Sequence, residues 1–91
     1  MASNIFEHIG FDKAEADNLR IRSALMREIV NYINMNNLSQ KKAAEAFGVN
    51  QPRISDLVRG KINKFTIDIL VTMLSSVHIP VAVVIDNRIA A

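Results

Sequence analysis

The 91-residue chain has no cysteine, which excludes disulfide staples and thiolate metal sites. Glycine is scarce, and Gly10, Gly48 and Gly60 stand singly, so they cannot form a glycine-rich phosphate loop. His8 and His78 are far apart in the sequence. Neither has a companion at metal-ligand spacing, and both read as surface or packing residues. No nucleophile elbow occurs, so the chain is not expected to be an enzyme, and no cofactor or metal is expected. Long apolar runs are also missing. Ile67 to Ile85 is the most apolar region, but Asp68, two serines, His78 and Pro80 interrupt it, making it a poor membrane span. Met1 to Gly10 lacks the basic start and apolar stretch of a signal peptide.

What is present is apolar and unevenly charged. Hydrophobic residues make up 49% of the chain, generous for one small domain spanning 1–91. Some of that surface is expected to be covered by a partner or a second copy. The net charge is only +2. Ser39 to Thr66, however, holds Lys41, Lys42, Arg53, Arg59, Lys61 and Lys64 against Glu45 and Asp56, while acidic residues outnumber basic ones elsewhere. Such clustering fits phosphate binding through counterion release; a merely solvated basic surface is the plainer alternative.

Periodicity predicts a mostly all-α chain. Asp12 with Glu15 reads as a capping box opening a helix that runs to about Met35, after an irregular Met1 to Gly10. Ile21, Leu25, Ile29 and Ile33 form its core stripe, widened by Met26 and Val30. Asn36 and Asn37 end it. Met26, Met35 and Met73 read as core filler. Lys61 to Phe65 reads as a short basic loop. Thr66 caps a further helix to about Val77, with Ile67, Leu70, Leu74 and Val77 inward. Pro80 stops that pattern, and Val81 to Ile85 has strand composition. Such a strand needs a partner: its symmetry mate, a segment near Ile5 and Phe6, or another protein.

Between these parts lies the segment with the most specific pattern, 39–60. Ser39 is placed as the N-cap of a helix from Gln40 to Phe47. Ala43, Ala44 and Phe47 share one face, and the alanines let a second helix approach closely. Gly48 stands where the chain leaves that helix. Val49 is expected to tuck into the core and Asn50 to cap the next helix. Pro52 falls in its first turn, where a missing N–H breaks no bond. Ile54, Leu57 and Val58 are expected to be buried, and Gly60 closes the helix. Two short helices about a glycine turn make a helix-turn-helix.

Small residues at Ala43 and Ala44, glycine at Gly48 and apolar residues at Val49, Ile54 and Leu57 make this segment resemble the helix-turn-helix of the lambda-repressor-like, Cro/C1-type (Xre) family. The wider layout is similar to small antitoxins of the HigA kind. The resemblance implies a bundle of four to five helices with a short C-terminal β-strand at 81–85. It implies a cytoplasmic, nucleoid-associated bacterial regulator: a dimeric repressor on a palindromic duplex, with a cognate toxin as a further partner. The alternative is a protein-interaction adaptor that keeps the fold without reading DNA.

In a docked helix-turn-helix, the start of the second helix meets base edges in the major groove. Gln51, Arg53 and Asp56 lie off the Ile54-Leu57-Val58 face and are expected to point outward. Gln51 suits adenine, Arg53 guanine and Pro52 a thymine methyl. Asp56 either accepts from cytosine or orients Arg53 or Arg59. Phosphate contacts are expected from Ser39, Gln40, Asn50, Ser55, Arg59, Lys61 and Lys64. The family pattern itself implies a phosphate contact at Gln40 and base reading at Gln51. Val81, Val83 and Ile85 are the candidate dimer residues.

Overall fold

The computed structural model describes residues 13–86. Its helices are α1 (Lys13–Met35), α2 (Gln40–Phe47), α3 (Gln51–Val58) and α4 (Ile67–Ser76), with a 3-10 turn (Ile62–Lys64) between α3 and α4. The irregular Met1 to Gly10, the Asp12 cap and the pairing segment near Ile5 and Phe6 fall outside the described residues. None of the described helices is long and apolar enough to cross a membrane.

Each helix ends in the same way. Asn37, Gly48, Gly60 and His78 all have positive φ, at 52°, 70°, 74° and 64°. At each, the following amide reaches back five residues: Leu38 to the Ile33 carbonyl, Val49 to Ala44, Lys61 to Asp56 and Ile79 to Leu74, all at 3.0 Å. This left-handed cap satisfies carbonyls that the helix end would otherwise orphan. At three of the four, the next residue is apolar and packs on the core: Leu38, Val49 and Ile79.

The next helix then starts on a side-chain cap. Ser39 Oγ accepts from the Lys42 amide at 3.1 Å and Asn50 Oδ1 from the Arg53 amide at 2.9 Å. Thr66 Oγ1 accepts from the Ile69 amide at 3.2 Å. The joints before α2 and α3 therefore share one three-residue sequence of roles: left-handed residue, apolar residue, cap. Asn37-Leu38-Ser39 and Gly48-Val49-Asn50 are the two instances.

The core forms where the four helices meet. Ile29 and Ile33 of α1, Ala43 and Phe47 of α2, Ile54 and Leu57 of α3, and Leu70, Met73 and Leu74 of α4 are buried. Tyr32 of α1 meets Phe47 edge-on, with ring centroids 5.5 Å apart. α1 packs mainly on α4, and α2 on α3.

Several expected core positions lie elsewhere. Ile21 is exposed, and so is Met35, at 82%. At about 1.5 Å per residue, α1 is more than twice as long as any described helix it packs on, so the described elements leave parts of it uncovered. Met26 and Met73 are buried as expected. The strand expected over Val81 to Ile85 is absent: residues 79–86 carry no regular secondary structure. The other described elements are all helical, so they offer no ladder for a β-prone segment to join. Val83, Val84 and Ile85 are 72% exposed or more.

A Cβ added at Gly48 would meet only Ser76 Oγ, at 3.9 Å, so the penalty for alanine comes from the backbone. Gly48→Ala is expected to cost about 1 kcal/mol, the steric penalty of a left-handed L-residue, measured by urea unfolding. An unchanged midpoint would contradict the left-handed cap.

Candidate nucleic-acid interface

α2 and α3 are each eight residues long, too short to be stable alone. They persist because their caps and apolar faces lock them into the bundle. Ala43 is fully buried and Ala44 nearly so, which allows the close approach that larger side chains would block. Ile54 and Leu57 turn α3 inward. With about 3.6 residues per turn, Pro52, Ser55, Asp56 and Arg59 then lie on the opposite side. Gln51 and Pro52 are exposed at the helix start, and Arg59 is exposed at its end.

Val58 and Arg53 flank the Ile54–Leu57 stripe at similar angles, yet they have opposite fates. Val58, expected to be buried, is exposed at 41%. Arg53, expected to point freely outward, is half-buried. Its guanidinium lies 5.4 Å from the centroid of the Phe65 ring, and Nη1 donates to the Lys64 carbonyl at 2.9 Å. Phe65 decides the asymmetry. It is 2% exposed and gives Arg53 a cation–π face on one side of α3.

Residues 62–65 are held from a second direction. Arg22 of α1 donates from Nη1 to the Ile62 carbonyl at 3.0 Å and to the Phe65 carbonyl at 3.3 Å. Its Nε donates to Asn18 Oδ1 at 2.6 Å, which orients the guanidinium. Two arginines from two helices thus satisfy three carbonyls of a short loop.

The same loop carries two cations of the basic segment. Asp56 lies 3.6 Å from Lys61 Nζ and 4.0 Å from Lys64 Nζ, with its own side chain 23% exposed. Of the two roles considered for Asp56, orientation of cations fits these contacts, but its partners are lysines and not Arg53 or Arg59. Pairs this exposed contribute little to stability; their consequence is where the ammonium groups sit.

The remaining expected phosphate contacts cluster at helix starts. Ser39, Gln40 and Asn50 are exposed. Ser39 Oγ and Asn50 Oδ1 act as cap acceptors, which leaves the serine O–H and the asparagine amide N–H groups as donors. Ser55 is half-buried on α3. Val81, Val83 and Ile85 lie beyond α4 and are all exposed.

Sequence reasoning missed Phe65, Arg22 and Asn18. Phe65 had a signal. It precedes the Thr66 cap, and Leu70 stands four residues after that cap, the spacing of a hydrophobic staple. Both residues are buried. Arg22 had no local signal, because its partners are about forty residues away.

Residues 6–86 match the model of a family described as a helix-turn-helix domain. A search of curated proteins returned no match.

Phe65→Ala removes a buried ring together with the face under Arg53. It is expected to cost about 3–5 kcal/mol, read by thermal unfolding followed by circular dichroism. A loss below about 1 kcal/mol would show that Phe65 does not anchor the loop.

Proposed function

The chain belongs to a helix-turn-helix domain family, and we propose that it is a sequence-specific transcriptional regulator, a dimeric repressor reading a palindromic duplex. One observation carries this reading. The exposed start of α3, with Gln51 and Pro52, sits within the segment that holds six of the chain's eleven basic residues.

In this reading Gln51 offers bidentate hydrogen bonds to adenine and Pro52 an apolar contact for a thymine methyl. Gln40, Ser39 and Asn50 donate to phosphates at the starts of α2 and α3. Arg59, Lys61 and Lys64 neutralise phosphates at the end of α3. Asp56 acts through the two lysines and not by accepting from cytosine. A single reading helix covers few base pairs, so two copies on a twofold axis would read half-sites about 34 Å apart. The exposed segment around Val81, Val83 and Ile85 supports a dimer contact, where pairing with its symmetry mate would supply the missing strand ladder. An antitoxin role rests on the resemblance to HigA-like proteins alone. A partner reading frame encoding a small ribonuclease-like protein would support it.

Two substitutions separate base reading from phosphate contact. Gln51→Ala is expected to lose about 1–3 kcal/mol of discrimination at one base pair of each half-site. Lys61→Ala is expected to weaken all duplexes alike and lower the salt slope by about one. Titration of matched and singly mismatched duplexes at several salt concentrations reads both. Equal and feeble binding to every duplex would favour the adaptor instead.

A further inference from the structure

We infer that Arg22 and Arg53 are positioning residues for DNA binding: they clamp the backbone of residues 62–65 so that Lys61 and Lys64 are presented to phosphate in a fixed place. The inference rests on the DNA-binding reading above and gives Arg53 a different task from base reading.

The 3-10 turn closes with the Phe65 amide on the Ile62 carbonyl at 3.2 Å; the Lys64 and Phe65 carbonyls lie beyond that bond, and such groups need donors. Here the donors are guanidinium groups from two different helices. Arg22 of α1 takes the Ile62 and Phe65 carbonyls. Arg53 of α3 takes the Lys64 carbonyl and stacks on Phe65. Asn18 holds the Arg22 head in place. A lysine in place of Arg22 could not donate to Asn18 through a second nitrogen while it holds the two carbonyls, and one in place of Arg53 would lack the delocalised guanidinium over the Phe65 ring.

The clamp acts on the two cations that follow the reading helix. Backbone anchors fix where the Lys61 and Lys64 stems begin. Asp56, on α3, draws both ammonium groups to the same side, and both lysine side chains stay accessible, at 41% and 59%. A free lysine loses backbone and rotamer freedom when it is fixed on a phosphate. Fixing its backbone beforehand reduces what binding must still order. Arg22 is not among the basic residues of the 39–66 segment; in this account it influences DNA only through the loop.

Two measurements test this on the full chain. The first is free of DNA: amide hydrogen exchange in Arg22→Gln. The Lys64 and Phe65 amides, which donate to the Lys61 and Ile62 carbonyls, should exchange roughly tenfold faster, while amides in the middle of α2 and α4 keep their protection. Unchanged loop exchange overturns the clamp. A uniform rise everywhere also overturns it, because Arg22 would then be supporting global stability only.

The second is a double-mutant cycle on DNA affinity. In the wild-type background Arg22→Gln should weaken binding to the operator roughly fivefold. In a Lys61→Ala/Lys64→Ala background it should change binding less than twofold, because the groups it positions are gone. Equal effects in both backgrounds overturn the inference and make Arg22 a direct contact. Arg53→Gln should lower affinity for matched and mismatched duplexes in the same proportion. A change of preference at one base pair would make Arg53 a base reader and overturn its assignment here. If the unsubstituted chain shows no selective binding, the regulator reading fails, and the lysine role fails with it. If it binds selectively and the cycle shows no coupling, this inference fails alone.

Discussion

The structure depends on how each helix is made to stop. α2 and α3 contribute few hydrogen bonds of their own, and their order comes from the joints that hold them. At Asn37, Gly48, Gly60 and His78 the backbone enters the left-handed region and the next amide closes onto a carbonyl five residues back. Carbonyls that the helix end would otherwise orphan find donors there. In two joints the next residue plugs into the core and the one after caps the following helix. Three residues thus terminate one helix, anchor the joint and start another, which sets the angle between α2 and α3 and so places the outward face of α3.

The basic surface depends on a second device of the same kind. In the loop after α3 the Lys64 and Phe65 carbonyls are met by side chains, Arg53 from α3 and Arg22 from α1, and Arg22 also reaches the Ile62 carbonyl. Lys61 and Lys64 therefore stand on or beside a braced segment between α3 and α4. Asp56 contributes geometry there, since its exposed ion pairs stabilise the fold by little.

These features were legible to different degrees for physical reasons. Ser39, Asn50, Thr66, Gly48 and the alanine pair act within a few residues of themselves, and local spacing revealed them. Ile54 and Leu57 followed from periodicity. Val58 and Arg53 did not, because periodicity treats the two flanks of a buried stripe alike, and only the distant Phe65 separates them. His78 carries no left-handed signature of the kind glycine gives, so its cap went unread. The C-terminal strand was inferred from composition, but a strand exists only with a partner, and one chain offers none among its described elements. Ile21 and Met35 sit on a helix longer than its neighbours, and no pattern within α1 reports the length of what packs against it.

The central claim is that the start of α3 and the braced loop after it form one DNA-facing surface. Amide chemical-shift mapping during titration with a cognate palindromic duplex tests it most directly. The account predicts that the largest shifts fall on Gln51 to Asp56 and Gly60 to Phe65, with smaller ones at Ser39 and Gln40. Shifts confined to Val81 to Asp86, or shifts absent from α3 while the duplex is bound, would contradict it.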